Sequence, residues 1–101
     1  MIRVSAMYPN APGIRFDWKY YLEKHMVMAR QLIEPYGARA EVDRGIGSAQ
    51  PGASAPYVAV CHMYFKSMED LHKVMAQAGS MNNDIPNFTD AEPQFQISEI
   101  L

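Results

Sequence analysis

The sequence predicts an α+β domain whose elements run strand, helix, strand, strand, helix, strand. Three observations carry that expectation. Two stretches, opening at Asp17 and Ser67, repeat apolar residues with the 3.6-residue period of a helix. Four others, about as long as ordinary strands, alternate between apolar and polar or are apolar on both parities. Clusters of glycine, proline and asparagine punctuate the boundaries between them. A chain of 101 residues, 49% apolar and 20% charged, suits one domain over residues 1–101 with one core, and leaves little room for a second.

The first strand is read from the alternation of Ile2 to Met7, which ends at the turn residues Tyr8-Pro9-Asn10-Ala11-Pro12-Gly13. Asp17 can cap the helix that follows, and Phe16 and Tyr21 are spaced to clamp its entry as a hydrophobic staple. Leu22, His25, Met26, Ala29, Leu32, Ile33 and Tyr36 form its apolar stripe; Pro35 weakens the last turn and Gly37 supplies a left-handed stop. Ala38 to Gly45 alternates as a second strand with one solvated face. Residues 45–56 are small, glycine-rich and proline-rich, and read as a mobile connection. Tyr57 to Phe65 is apolar on both parities, so both of its sides need covering. Ser67-Met68-Glu69-Asp70 resembles a capping box, and Met68, Leu71, Met75 and Ala78 mark a second helix that Gly79 is expected to stop. Gly79 to Pro93 then reads as a long polar loop, before a closing strand from Phe95 to Ile100.

Two right-handed strand–helix–strand units in this order make a ferredoxin-like βαββαβ protomer, a four-stranded antiparallel sheet with both helices on one face. Nothing is left to cover the other face. A patch containing Val58 and Val60, or else Cys61 and Met63, with neighbours on the first and fourth strands, therefore needs a partner. A homodimer with sheets packed face to face is the expected solution; a monomer roofed by its own long loops is the alternative.

Composition removes several classes of function. Nine Lys plus Arg against eleven Asp plus Glu give a net charge of −2, too little positive charge to favour nucleic acid or anionic membranes. The longest apolar run inside an expected element, Tyr57 to Cys61, is far short of the roughly 20 residues that cross a bilayer. No secretory leader precedes the first strand, which points to a cytoplasmic location. Cys61 is the only cysteine, so neither an internal disulfide nor a thiolate metal cage can form.

Among the ionisable residues His25 is the most informative, because it lies on the apolar stripe of the first helix between Leu22 and Met26. It reads either as a core imidazole bonded to a carbonyl or to the phenol of Tyr20 or Tyr21, or as a general acid/base. His62, beside Cys61 and Tyr64, would line either the helix-covered core or the space between two sheets, with the core favoured. His72 reads as a surface residue. No His-x-x-x-His spacing exists, and Glu23 points away from His25, so no metal site is expected. Asp84, Asn87 and Thr89 read equally as a self-bonded turn around Ile85 and Phe88 or as the rim of a cavity. The eight methionines are adaptable core filler. Neither a glycine-rich phosphate loop nor a Gly-x-Ser-x-Gly turn is present, so nucleotide chemistry and serine hydrolysis are not expected.

Tyr20-Tyr21-Leu22-Glu23-Lys24-His25-Met26, with Val4-Ser5-Ala6-Met7-Tyr8-Pro9 and Asp84-Ile85-Pro86-Asn87-Phe88-Thr89, closely resembles the EthD family of dimeric α/β-barrel proteins. The likeness runs along nearly the whole chain. It implies a sheet-to-sheet dimer and a cavity between sheet and helices near His25; Tyr21, His62, Tyr64, Asp84 and Asn87, taken from their own positions in the chain, are the candidate substrate contacts. One position departs from the family pattern: Val27 stands where a proline commonly follows the histidine by two residues. The family is commonly grouped with oxidoreductases, and relatives with the same barrel include polyketide cyclases, decarboxylases, cofactor-free monooxygenases and haem enzymes, so architecture alone does not select the chemistry. The resemblance implies a cofactor-independent enzyme, oxidoreductase-like or cyclase/decarboxylase-like, acting on an apolar carbonyl or aromatic compound through His25. The alternative is a carrier of a hydrophobic metabolite that serves a partner oxygenase; a haem-dependent enzyme comes third.

Overall fold

The computed structural model describes residues 1–101. Four strands, β1 (Ile2–Pro9), β2 (Arg39–Arg44), β3 (Tyr57–Phe65) and β4 (Gln94–Glu99), form one antiparallel sheet in the order β2-β3-β1-β4. That is the βαββαβ arrangement expected from the sequence. β1 is central because it pairs on both edges, with Ala6 opposite Cys61 on one side and Phe95 on the other.

Register decides which side chains meet the helices. Val4, Ala6 and Tyr8 share a face with Ala59, Cys61, Met63 and Phe65 of β3, and this face is packed beneath the helices. The opposite parity, with Arg3, Ser5 and Met7 on β1 and Val58, Val60, His62 and Tyr64 on β3, lies on the side without helices. Arg39, Glu41 and Asp43 of β2 join that open face. The patch that needs covering is thus built around Val58 and Val60, not Cys61 and Met63, and it is interspersed with charge. His62 belongs to the open face, whereas the sequence reading favoured the core.

The first helix occupies residues 18–33 without interruption. It is made of α1 (Trp18–Tyr20), a π-helical turn (Tyr21–His25) and α2 (Met26–Ile33). The Asp17 carboxylate accepts from the Tyr20 N–H at 3.0 Å, and the Phe16 and Tyr21 rings pack with centroids 5.0 Å apart, as the capping and staple residues predict. Pro35 falls in a terminal 3-10 turn (Glu34–Tyr36), and Gly37 closes it at φ 68°. Cap to cap, the helix matches its sequence pattern except at Leu22, which is 46% exposed because in the widened π-helical turn Tyr21 takes the buried place beside His25.

The second helical region departs from expectation. α3 (Met68–Met75) starts on Ser67, whose Oγ accepts from the Asp70 N–H at 3.2 Å. It ends before Gly79, which instead opens a further helix, α4 (Gly79–Asp84), followed by a 3-10 turn (Ile85–Asn87). Residues 79–93 are therefore not one loop. The segment Ser80-Met81-Asn82-Asn83-Asp84 has weak intrinsic helix preference, which is why it reads as coil; tertiary anchoring overrides that preference. Met81 and Ile85 pack on the core cluster formed by Tyr8, Tyr21, Met26 and Phe88, and Asp84 is fixed by hydrogen bonds described below. A second cluster, Ile33, Phe65, Leu71 and Val74, fastens α3 to the other end of the sheet.

The connection between β2 and β3 contains no regular element, but its ends are tied. The Gly45 N–H donates to the Val58 carbonyl at 3.0 Å, and Asn10 binds Pro56 and Ala55. Any side chain at Gly45 would press into the Tyr57 carbonyl, 2.1 Å from where a Cβ would sit. No helix is long and apolar enough to cross a membrane.

Candidate functional site

The site begins with the π-helical turn. A turn widened by one residue is uncommon inside helices and recurs near functional positions. Here it holds Tyr21 and His25, both buried, with their rings stacked at a centroid distance of 5.5 Å and an interplanar angle of 16°. Phe88 closes on the imidazole from another direction, at 4.6 Å. His25 is 4% exposed, so its polar atoms need partners within the protein or in a ligand.

One partner comes from 59 residues away. Nδ1 of His25 lies 2.9 Å from Oδ2 of Asp84 at the end of α4. The other carboxylate oxygen accepts from the Tyr20 hydroxyl at 2.6 Å and from the Asn87 amide at 2.9 Å. Burial alone would raise the Asp84 pKa, but the hydrogen bonds from Tyr20, Asn87 and His25 outweigh it and hold the carboxyl below its ordinary range. The same bond to Asp84, aided by desolvation, raises the Tyr20 phenol. Asp84 is therefore an ionised acceptor, and the ring nitrogen facing it must carry a proton. In the neutral imidazole that leaves Nε2 as the acceptor, and no group of the chain bonds to it.

Several bonds keep Asp84 in place by tying the segment after it to the approach of the first helix. Arg15 donates from Nη2 to the Pro86 carbonyl at 2.7 Å, and its backbone N–H donates to Asp90 at 2.9 Å. The Asp17 N–H donates to the Phe88 carbonyl at 2.7 Å, and the Thr89 hydroxyl donates to the Arg15 carbonyl at 2.6 Å. Thr89 is thus a structural tie. Asp84 and Asn87 form a bonded turn, as one reading had it, and that turn is also the support of His25.

His25 lies on the wall of a cavity of about 450 Å³ between the sheet and the helices. Of its 21 lining residues 19 are apolar; His25 and Asn82 are the exceptions. Tyr21 also lines it, and its hydroxyl is buried with no hydrogen-bond partner. Burial, with Cys61 and Tyr8 nearby, raises the Tyr21 phenol, so it stays protonated at neutral pH. Burial also pushes the Cys61 thiol up to about 11, which leaves it a neutral wall group.

His62 and Tyr64 are not brought to this cavity. They lie on the open face of the sheet, where Arg39 stacks over the Tyr64 ring at 4.2 Å. His62 there links Ser5, 2.8 Å from Nδ1, to Asp43, 3.3 Å from Nε2. That serine–histidine–aspartate chain sits in the middle of a hydrogen-bonded sheet, whose paired N–H groups cannot serve as an oxyanion hole. It is a surface network. His72 is exposed on α3, and no three metal-ligating side chains converge.

The sequence marks His25 and Asp84 separately but not as a pair, because no spacing rule links residues on different helices. Nor does it mark α4, or with it Asn82 at the cavity wall. The depressed pKa of Asp84 predicts a pH-dependent stability. A carboxyl whose folded pKa lies below its unfolded value stabilises fully above about pH 4, the ordinary Asp value, and that contribution is lost as pH falls through the folded pKa. Asp84→Asn should therefore lower stability by about 1–3 kcal/mol at pH 7, and the gap from wild type should narrow at pH 3 in urea denaturation. A gap unchanged between the two pH values would contradict the assignment.

Comparison with known proteins agrees with this architecture. The chain is similar to an EthD-like protein of Ralstonia eutropha JMP134, with 36% identity over 99% of this chain and 91% of that one, at a TM-score of 0.92. It is also similar to an ethyl tert-butyl ether D (EthD) family protein of Bacillus halodurans C-125, with 22% identity over 100% and 99% of the two chains, at a TM-score of 0.76. A protein of Arabidopsis thaliana shares the fold, with 15% identity over 100% and 96% of the two chains, at a TM-score of 0.66. A search of curated proteins found no match. A sequence profile of the EthD domain matches residues 15–92, the stretch that contains His25, Asp84 and the ties between them, and the chain belongs to the EthD family.

Proposed function

We propose that this protein is a small-molecule enzyme in which His25 transfers a proton to or from an apolar carbonyl or aromatic compound held in the cavity. The observation that supports this reading is an imidazole whose Nδ1 is committed to Asp84 while Nε2 has no hydrogen bond within the chain, on a wall that is otherwise almost wholly apolar. For a carbonyl ligand, the step is removal of a proton from the adjacent carbon. The C–H bond breaks, its electron pair passes into the enolate, and the proton joins Nε2. The imidazolium so formed lies against the Asp84 carboxylate, which offsets its charge, and its reprotonation of the ligand at another atom completes the transfer. Such a step needs no cofactor.

In this reading Tyr21 fixes the plane of the imidazole by stacking and offers its unpaired hydroxyl to the ligand oxygen. Asp84 and Asn87 act behind His25, positioning it, and do not touch the ligand. His62 and Tyr64 have no part in the chemistry. The lone thiol suits a reducing cytoplasm.

We also propose a homodimer through the open sheet face. Arg3 carries a buried Nε without a partner there, and Arg39, Glu41 and Asp43 lie on the same face around Val58 and Val60, so the face offers both apolar side chains and charges of both signs to a second copy.

Two measurements test these readings. With the ligand first identified by mass spectrometry of the purified protein, folded His25→Gln and His25→Ala should lose about 10²- to 10⁴-fold in turnover. Wild-type turnover in either variant removes His25 from the mechanism, and tight binding without turnover in the wild type favours the carrier. Sedimentation velocity at micromolar concentration should give a dimer that Val60→Asp converts to monomer; a monomeric wild type would contradict the shared face.

A further inference from the structure

The shape of the cavity says more about its ligand than its chemistry does. Its walls run the length of the sheet, from Tyr8 and Tyr21 at the His25 end to Phe65, Leu71 and Val74 at the other. Along β1 the lining spans Val4 to Tyr8, four strand steps or about 13 Å; along the first helix it spans Tyr21 to Ile33, twelve helical steps or about 18 Å. A volume of about 450 Å³ drawn out over that length makes the cavity long relative to its width. This is a slot. Small residues on facing elements, Ala6 and Cys61 on the sheet and Ala29 on α2, keep it open where larger side chains would fill it.

Polarity is distributed along the slot as unevenly as its length. The Tyr21 hydroxyl, which can donate to a ligand oxygen, and Nε2 of His25, which can take up a proton from the ligand, are at one end, and the Asn82 amide is the remaining polar group of the lining. The far end is purely apolar, formed by Ile33, Phe65, Leu71 and Val74. No Lys, Arg, Asp or Glu lines it anywhere. Phe95 and Ile97 on β4 and Met75 on α3 line the slot yet are 58%, 47% and 55% exposed, so it opens to solvent beside these two elements. An anionic head would be buried with no Lys or Arg of the lining to pair it, and the one lining group that can become a cation, His25, is already bonded to the Asp84 carboxylate.

We infer that the ligand is an uncharged, unbranched alkyl compound with a single oxygen-bearing head, such as a ketone or aldehyde, its head at His25 and its chain lying towards Leu71 and Val74. This rests on the proposed site and specifies the class of molecule it takes. Each methylene that enters the slot should strengthen binding about fourfold, the ratio that corresponds to about 0.8 kcal/mol per buried CH₂. Once the slot is full the gain should stop.

The test is isothermal titration calorimetry of the full-length protein with methyl n-alkyl ketones, from methyl butyl to methyl dodecyl ketone, with the straight-chain carboxylate and the polycyclic aromatic ketone of matching carbon number alongside. Affinity should climb by about fourfold per methylene and then level off. The carboxylate should bind at least about tenfold more weakly at pH 8, and the polycyclic ketone more weakly than the straight chain. Val74→Phe should shorten the chain at which the gain stops without changing affinity for the shortest ketones; Ala29→Leu provides a second obstruction should Val74→Phe fail to fold. Affinity indifferent to chain length, equal or better binding of the carboxylate, or a preference for the polycyclic ketone would each overturn the inference. His25→Gln separates it from the proposed chemistry, because the increment per methylene should survive that substitution even where turnover does not.

Discussion

A single contact organises the functional end of this molecule: the bond between the imidazole of His25 and the carboxylate of Asp84. Each residue alone would be a poor occupant of its place. A histidine on an apolar helical stripe has an unsatisfied ring, and an aspartate pressed against the core is raised towards its neutral form by desolvation. Together with Tyr20 and Asn87 they satisfy each other, and Asp84 stays ionised. The bond also joins two remote parts of the chain, the first helix and the end of α4, so orienting the imidazole and closing the fold are the same event. With one ring nitrogen committed, the other is defined as the group presented to the cavity.

The remainder of the architecture arranges surroundings for that nitrogen. The parity of β1 and β3 sends Ala6, Tyr8, Cys61 and Met63 beneath the helices and Ser5, His62 and Tyr64 to the open face. Small residues in the first set leave space where a tightly packed core would have none. The π-helical turn brings Tyr21 and His25 into a stack, and the backbone continues into α2 at once. Val27, where a proline is common in the family, lies in α2 just beyond the turn, and the helix passes through it without interruption. Unpaired polar atoms and empty apolar volume are both unfavourable in a folded protein, and here they coincide at one place, which is the physical ground for reading it as a binding site.

Much of this was legible in the sequence wherever local chemistry decides structure. Asp17, Phe16 and Gly37 mark the two ends of the first helix by capping, stapling and left-handed closure, and Ser67 marks the start of α3; periodicity supplied what lies between. The double apolar parity of β3 announced a strand with two demanding faces, though not which set would meet the helices, since both are apolar. His62 was assigned by parity to a choice of two environments, and only the register with β1 decides between them. α4 was invisible, because Asn82, Asn83 and Asp84 favour turns over helix and the anchors that override them, Met81 and Ile85, are too few to make a pattern. The partner of His25 was hidden for a related reason: the contact spans 59 residues and joins elements whose approach depends on the whole fold.

The account rests on the direction in which the His25 ring is held. Long-range ¹⁵N–¹H correlation of the imidazole in its neutral form measures that directly, because the protonated and bare ring nitrogens differ widely in shift. The proton is predicted on Nδ1, facing Asp84, with Nε2 bare towards the cavity. A neutral ring protonated on Nε2 would contradict the account.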